Sequence, residues 1–481
     1  MAVDIRPVVP ALIVAVTGIV VLLAQAFTPP GRRAPFLPLA LLGLGGAMAS
    51  VIVLCLRGVR GATLGGAYVL DDFSLFLHGL ILAVAIVCVL ISPSYLRATG
   101  ADRGEYYALV LFSVVGMLGL VSCLELVALF VALEIMSVAL YGAAGLHRSR
   151  PESAEAALKY FLTGAFSSAF FLYGVALLYG VSGSTWVDRI APAVSAATGG
   201  QAALALLGAG LLLVGFGFKV ASVPFHMWAP DVYEGAPTTV TALMAAGVKA
   251  AAFGGFLRVF LRALPGLADQ WQPAVAALAL VTMVVGNLGA LAQSNLKRML
   301  AYSSVAHAGY LLTALVASPG EGTEAILFYL VAYALVNLGA FGALAALARD
   351  GREPLSLDDV AGLARRRPAL AAAVAVFMVS LTGLPVSAGF VGKFYLFRAA
   401  VNAGYVTLAL VGFLMSVVSA YYYLRVVVAM YMREPVGEDR WARVSPASAV
   451  ALAFAAVVVL GLGVHPGPLL NWARQAAQSL L

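Results

Sequence analysis

Apolar runs of about 20 residues, separated by short polar or Pro/Gly-rich segments, recur along this whole chain. An α-helix needs a run of about this length to cross the hydrocarbon core of a bilayer. Only 11% of the residues are charged, whereas a soluble domain carries about 25%. The sequence therefore predicts an all-α membrane protein that spans the bilayer many times and has no separate soluble domain.

The pattern predicts about fourteen transmembrane helices. The predicted spans are 8–27, 36–56, 73–92, 106–122, 125–146, 154–180, 202–222, 238–263, 274–294, 298–318, 323–348, 369–398, 401–432 and 446–464. The first is read as a helix rather than a secretory signal, because Asp4 precedes it and no small-x-small cleavage site follows. The seventh is predicted to continue past Pro224 as a short broken piece, and the twelfth to be interrupted at Gly383-Leu384-Pro385.

An even number of helices puts both termini on one side, and the positive-inside rule selects that side. With both termini outside, most loop cations lie on the inner side. These inner cations are Arg32, Arg33, Arg97, Arg103, Arg148, Arg150, Lys297, Arg298, Arg349, Arg352, Arg365, Arg366, Arg367, Arg433, Arg440 and Arg443. The outer set is Arg6, Arg57, Arg60, Arg189, Arg258, Arg262, Arg398 and Arg474. We expect both termini on the periplasmic side of a bacterial inner membrane.

The five helices of 106–263 include one broken at Pro224, and the five of 274–432 include one broken at Pro385, again the fourth. Repeats with discontinuous helices at matching positions are typical of transporters, and an odd number of helices per repeat inverts the second. The predicted units are an N-terminal three-helix segment (1–105), two inverted five-helix repeats (106–264 and 265–432) and a C-terminal helix and tail (433–481).

Lysine is used in an unusual way here. Four of the five lysines lie inside predicted spans (Lys159, Lys219, Lys249 and Lys393), whereas the loops use arginine almost throughout. An ionisable group in lipid is costly and therefore points to function. A desolvated lysine can exchange its proton near neutral pH, but an arginine cannot. The pattern favours proton movement through the membrane.

Glu134 lies near mid-membrane, about 18 Å of helix from the loop at His147. It is the predicted partner of Lys219, because a buried ammonium needs a counter-charge and a Lys–Glu pair titrates as a unit. A static ion pair between two helices is the alternative. Glu125, half a turn out of phase with Glu134, faces the opposite side near the outer surface.

Lys249 is predicted near the membrane centre, with no acid at i±3 or i±4 on its own helix. Lys393 follows the second break and falls in the outer half. His307 and His226 lie within apolar spans, and each is as readily a proton carrier as a satisfied core histidine. Lys159 lies near the inner mouth, where a long side chain reaches the surface as easily as it tunes a buried charge.

Tyr421, Tyr422, Tyr423 and Arg425 are predicted to pack or to anchor their helix. The cysteines Cys55, Cys88 and Cys123 are far apart and form no CxxC, and the five histidines form no HExxH pair. This predicts no disulfide, Fe–S cluster, zinc or other metal site. Net charge is +7, but its cations are explained by membrane topology, so no nucleic-acid partner is expected.

At VPFHMWAPDVYEGAPT followed by GVKAAAFGGFLRV, the chain resembles the antiporter-like membrane subunits of proton-pumping NADH:quinone oxidoreductase, respiratory complex I. LEIMSVALYGAAG and LPVSAGFVGKFYLF add separate matches. The large subunits of multi-subunit sodium/proton antiporters are similar. The chain ends soon after the last predicted helix and lacks the long lateral helix of one sister subunit.

The resemblance implies proton-transfer roles for Glu134, Lys219, Lys249, Lys393 and Lys159, which match the family's charged positions. It implies an enzyme subunit with no redox centre of its own. FMN, Fe–S clusters and quinone are expected in partner subunits, and the partners are other membrane subunits of the complex. An antiporter subunit of a non-redox complex, a structural scaffold with a vestigial channel and a quinone-binding role remain open alternatives.

Overall fold

The computed structural model describes residues 4–29, 35–317, 319–436 and 441–481. Its first helices are α1 (Val9–Phe27), α2 (Phe36–Leu56), α3 (Asp72–Ala98), α4 (Gly104–Ser122), α5 (Leu126–Ala144), α6 (Pro151–Ser182), α7 (Val187–Ala196), α8 (Gly199–Val220), α9 (Trp228–Gly235) and α10 (Thr238–Ala263). They are followed by α11 (Ala268–Leu291), α12 (Leu296–Leu315), α13 (Pro319–Leu347), α14 (Leu363–Arg366), α15 (Pro368–Thr382), α16 (Ala388–Asn402), α17 (Val406–Met432), α18 (Pro446–Val464) and α19 (Gly467–Leu480). The strands β1 (Gly61–Thr63) and β2 (Tyr68–Leu70) pair antiparallel between α2 and α3.

The prediction of an all-α, multi-pass membrane protein is confirmed. In the described part of the chain, 12 helices are long and apolar enough to cross a bilayer. The helix α12 is long but more polar, and α15 and α16 are each too short to count alone. The number fourteen, the inverted repeats and the boundaries of the four predicted units therefore stay predictions. Of the predicted inner cations, Arg32, Arg33 and Arg440 lie outside the described residues.

Both predicted helix interruptions are present in the structure. At the first interruption, α8 stops at Val220, and Ala221 takes a left-handed φ of 59°. The chain becomes helical again at Trp228. At the second interruption, α15 stops at Thr382, and Gly383 takes a φ of 85°. The next helix, α16, starts after Ser387, whose side chain caps its N-terminus. The last carbonyls of a helix have no partner within it. Each break therefore leaves acceptors free for other groups inside the bundle.

The centre of the bundle is α10. Its most apolar 18-residue window is entirely buried, and it packs against α3, α4, α8 and α13. In contrast, two thirds or more of the corresponding windows of α1 and α18 are not buried. A charged side chain on α10 is therefore surrounded by protein, which removes it from lipid and leaves neighbouring side chains and buried water as its partners.

The predicted C-terminal tail after span 446–464 contains a further helix, α19. Leu470, Ala473, Ala477 and Leu480 are buried along one face of α19, which packs on α3 and α13. The Trp472 ring lies 4.6 Å from that of Phe76. The segment is too polar to be recognised as a span, so only its helical periodicity could have signalled it.

Two cations assigned to loops or helix ends are buried instead. Lys297 is 1% exposed, and Arg258 is fully buried on α10. The guanidinium of Arg258 donates to both carboxylate oxygens of Asp71 at 3.0 Å and to the Val121 carbonyl at 2.9 Å. Burial alone would raise the pKa of Asp71, but the charge of Arg258 holds it below its usual value.

Replacing Asp71 by alanine is expected to destabilise the protein by about 3 to 5 kcal/mol, because it leaves Arg258 buried without a counter-charge. Asp72→Ala is the matched control. Asp72 pairs with Arg60 near the surface, and loss of such a pair costs less than about 1 kcal/mol. The measurement is thermal unfolding of the detergent-solubilised protein; equal losses in the two variants would show that burial of Arg258 does not matter.

Candidate proton-transfer site

Lys219 and Glu134 are held by serines rather than by each other. The Lys219 ammonium is buried and donates to Ser137 Oγ at 2.7 Å. The Glu134 carboxylate accepts a hydrogen bond from Ser168 of α6. The predicted direct ion pair is therefore wrong for this conformation. Glu134 and Ser137 are neighbours at i and i+3 on α5, and the carboxylate still acts electrostatically on Lys219.

Aromatic rings complete the surroundings of Lys219. Its Nζ lies 5.6 Å from the centre of the Tyr141 ring and 5.5 Å from that of Tyr160. A ring face attracts a cation, and the attraction grows when water is excluded. These contacts offset part of the cost of burying the ammonium while leaving the hydroxyl of Ser137 as its hydrogen-bond acceptor.

Lys249 lies in the buried middle of α10 and is 2% exposed. Its Nζ donates to the Ser304 hydroxyl at 2.6 Å and to the Ser304 carbonyl at 2.5 Å. It also lies 5.2 Å from the centre of the Tyr333 ring. In the described residues it forms no ion pair.

His307 joins two tyrosines from different helices. Its Nε2 is 3.0 Å from the hydroxyl of Tyr423 on α17, and its Nδ1 is hydrogen-bonded to the hydroxyl of Tyr329 on α13. Tyr423 is also hydrogen-bonded to Ser303. The fully buried imidazole therefore lies within a continuous hydrogen-bonded group, and both Lys249 and Lys393 act on it electrostatically.

Lys393 uses the acceptors that the second helix break leaves free. Its Nζ donates to the carbonyls of Leu381 and Thr382, at 2.9 and 3.0 Å, at the end of α15. It also donates to Ser416 Oγ at 2.6 Å, and it lies 4.8 Å from the centre of the Tyr310 ring. The break thus supplies neutral hydrogen-bond acceptors to a buried ammonium.

The aromatic cluster was only partly predicted correctly. Tyr421 is 66% exposed on the surface of the bundle, which suits an anchoring residue rather than a packed one. Tyr422 donates to Asn287 Oδ1 at 3.0 Å. Tyr423 belongs instead to the hydrogen-bonded group at His307, which sequence reasoning missed. Ser137, Ser303, Ser304 and Ser416 were missed too, since lone serines in apolar helices carry no spacing pattern that marks them.

Two predicted residues lie apart from this buried group. The half-exposed Lys159 Nζ is 2.6 Å from both Glu155 and Asp231, and Asp231 also pairs with Arg298 at 2.7 Å. His226 is half-buried after the first break, with its ring centre 6.4 Å from that of Tyr302. Whether either residue carries protons stays a prediction.

Glu125 has a local structural role at the start of α5. Its carboxylate accepts hydrogen bonds from the backbone N–H groups of Val127 and Ala128, at 3.0 and 2.6 Å. These are among the N–H groups that a helix start leaves without partners. Glu125 and Glu134 therefore differ in what they contact, although both are acids of the same helix segment.

Within the described residues no three His, Cys, Asp or Glu side chains meet in a group able to hold a metal ion, and the three cysteines are free. Residues 123–419 match the NADH:quinone oxidoreductase/Mrp antiporter transmembrane family. The chain belongs to this family. Since the match covers Glu134, Lys219, Lys249, His307 and Lys393, the buried group lies inside the family's shared region.

Relatives within the family match almost the whole chain. NADH-quinone oxidoreductase subunit N of Trichlorobacter lovleyi is 43% identical over 476 residues, covering 99% of this chain and 97% of the relative. The protein of the same name from Chloroflexus aggregans is 45% identical, covering 97% and 96%. The broken-helix motif resembles subunit N more than its sister subunits, and these relatives confirm that resemblance.

Solved structures support the same placement. A chain of respiratory complex I from Thermus thermophilus with bound aureothin is 40% identical, with a TM-score of 0.83 and coverage of 96% of this chain and 98% of that one. A chain of the Mrp complex from Dietzia sp. DQ12-45-1b has a TM-score of 0.87 at 23% identity, covering 99% and 98%. The second likeness shows a shared fold alone.

Proposed function

We propose that this chain is a proton-translocating membrane subunit of an NADH:quinone oxidoreductase. It moves protons outward along its buried lysines, driven by redox chemistry in other subunits. The observation that carries the proposal is a set of three buried lysines, Lys219, Lys249 and Lys393, none of which bonds a carboxylate in the part of the chain that the structure describes. Serine and tyrosine hydroxyls and His307 surround them in the centre of the bundle. The subunit N relatives, similar over nearly the full length, support the same function.

The transfer is proposed to run from Lys219 and Lys249 through His307 to Lys393. Each lysine donates to a serine hydroxyl, and a hydroxyl both donates and accepts, so it can relay a proton. Separation of Glu134 from Lys219 removes an attractive negative charge and favours release of the lysine proton. The direction, from the inner to the outer side, follows from the predicted topology with both termini outside.

The chain is proposed to act beside subunits that hold FMN, Fe–S clusters and quinone, and to have no redox centre of its own. Its partners are the neighbouring antiporter-like and small membrane subunits, and its place is the bacterial inner membrane. The Thermus thermophilus match is to a chain of respiratory complex I, which supports this assembly.

An antiporter subunit of a non-redox complex is the alternative, supported by the fold shared with the Mrp complex. Purification from native membranes distinguishes the two, because only the first assignment brings flavin- and Fe–S-bearing subunits with this chain. A scaffold role is the other alternative. It predicts that Lys393→Ala assembles and pumps normally.

The test of the proposed function is proton pumping, with quinone reductase activity, in vesicles that carry Lys219→Ala or Glu134→Ala. Both variants are expected to pump fewer protons per NADH, because the first removes a carrier and the second removes the charge that controls it. Glu125→Gln is the matched control on the same helix segment and should leave this ratio unchanged. Undiminished pumping in both test variants would refute the proposal.

A further inference from the structure

A second buried ionic cluster lies at the predicted inner end of the bundle. Lys297 Nζ is 3.2 Å from Glu353 Oε2, and the two side chains are 1% and 3% exposed. Lys297 also donates to the Ala236 carbonyl at 2.9 Å. Glu353 accepts from the hydroxyls of Tyr95 and Thr238, the second at 3.1 Å. A buried ion pair of this kind is weak evidence for stability, so its presence invites a functional reading.

Other ionisable groups surround this pair. Arg150 Nη1 lies 3.6 Å from Glu353 Oε1 and is one third exposed, while His147 and Glu234 act electrostatically within the cluster. Burial alone would raise the pKa of Glu353, but the nearby charges of Lys297 and Arg150 hold it below its usual value. The proton affinity of Glu353 therefore depends on Lys297 staying close and rises when the ammonium moves away.

Glu353 also lines a polar cavity of about 480 Å³. Arg150, Glu152, Glu234 and Arg352 line the same cavity, and Glu152 and Arg352 are exposed. Water entering this cavity from the surface thus comes next to Glu353, whose side chain is itself almost fully buried. On the other side of Glu353 lies Lys297, which has almost no access to solvent. The pair separates an aqueous cavity from the interior of the bundle.

The helices that hold this pair also lead to the central lysines. Lys297 and Ser304 are seven residues, or two turns, apart on one face of α12, which is about 10 Å along the axis. Ser304 is the partner of Lys249. Thr238, which binds Glu353, begins α10, the helix of Lys249. One pair of helices therefore connects the inner cavity with the middle of the proposed path.

Unpaired polar atoms lie beside that connection on α13. The Tyr333 hydroxyl and the Asn337 amide oxygen are buried and have no protein hydrogen-bond partner of good geometry within the described chain. The Tyr333 ring is the one next to Lys249. Buried polar atoms of this kind are usually satisfied by ordered water. The interior between Lys297 and Lys249 thus suits a short water-assisted transfer.

We propose that Glu353 and Lys297 form the proton intake of this chain, which takes a proton from the inner cavity and delivers it toward Lys249. A proton from cavity water binds the Glu353 carboxylate, and the neutral acid no longer holds Lys297. Lys297 then releases one proton toward the middle of the bundle, where Ser304 and Lys249 lie. It recovers one proton from the Glu353 acid. The ion pair is restored and one proton has moved. This intake rests on the proposed function, since it requires a proton path to supply.

The first test is the double variant Glu353→Gln with Lys297→Gln, which removes both charges and leaves neither one buried alone. It is expected to assemble and to lose the same share of protons pumped per NADH as Lys219→Ala. Pumping at the unchanged level, while Lys219→Ala is impaired, would overturn the intake and leave the proposed function standing. If Lys219→Ala and Glu134→Ala are also unimpaired, the proposed function itself fails.

The second test leaves the pair intact and blocks the cavity. In inside-out vesicles, Arg352→Cys is treated with a membrane-impermeant methanethiosulfonate that carries a trimethylammonium group and so keeps the positive charge of the replaced arginine. Pumping should slow in this variant. It should not slow in the unchanged protein or in Arg349→Cys, whose exposed position lies outside the cavity lining. Unaltered pumping after modification at position 352 would overturn the intake.

Discussion

The Lys249→Arg variant should assemble normally. The rate of proton transport through this chain should fall by at least about a hundredfold. An arginine keeps the positive charge at the centre of α10, but its guanidinium holds the proton far more tightly than an ammonium does. Lys249 is bonded to the Ser304 hydroxyl and carbonyl, and both can accept from a guanidinium as well. The rate of ΔpH formation by vesicles during NADH oxidation measures the loss.

Arg262→Lys, near the end of the same helix as Lys249, is the matched control for that experiment. Arg262 is about one third exposed and paired with Asp188, and a lysine can replace it in this ion pair. We therefore expect near-normal ΔpH formation from this variant. Normal transport by Lys249→Arg as well would mean that the buried charge is needed only as a static cation.

The Gly389→Ala variant is expected to destabilise the second helix break by about 3 kcal/mol or more. A Cβ at this position would overlap the backbone carbonyl of Ser380 at the end of α15, and backbone cannot move aside as a flexible side chain can. The carbonyls of Leu381 and Thr382, which bind Lys393, follow directly. Loss of the close approach between α15 and α16 should therefore reduce both assembly and proton transport.

Gly461→Ala in α18 is the control for Gly389→Ala. A Cβ there meets nothing within 4 Å, and alanine favours a helix over glycine by about 1 kcal/mol. Thermal stability of the purified complex and the yield of assembled complex are the measurements. If both variants were as stable as the unchanged protein, the close approach of α15 and α16 would not be required.

The cost of charge in lipid explains why the sequence predicts so much of the site. Lys219, Lys249 and Lys393 stand out because an apolar span rarely contains a lysine. The breaks at Pro224 and Gly383 stand out because irregular backbone in a membrane must be covered by protein or water. The structure has all three lysines buried and both breaks present.

The partners of those lysines were much harder to predict. Depth along a helix follows from counting residues, but the rotation of one helix against another depends on packing across the whole bundle. The Glu134 carboxylate acts electrostatically on Lys219, yet the hydrogen bond of the lysine ammonium is accepted by Ser137 of α5. Tyr423 follows an exposed tyrosine and a buried one, and nothing in the run YYY indicates which of the three reaches His307.

Charges near helix ends were misread for a related reason. Lys297 is the second residue of α12, although it was predicted to lie in a solvated loop. Glu353 lies in a segment rich in charges, and no sequence pattern distinguishes it from its neighbours. The segment after α13 folds back over the bundle end, so that Glu353 reaches Lys297, Tyr95 and Thr238. The position of a charge outside an apolar run does not show whether a loop folds over that charge and buries it.

The most direct test of the central claim is the number of protons pumped per NADH by vesicles in which Lys219, Lys249 and Lys393 are all replaced by arginine. These changes keep the three charges, so that assembly and electron transfer can be checked in the same preparation. A proton path through the three lysines predicts a ratio below that of the unchanged complex. An unchanged ratio, with the complex assembled and oxidising NADH, would contradict it.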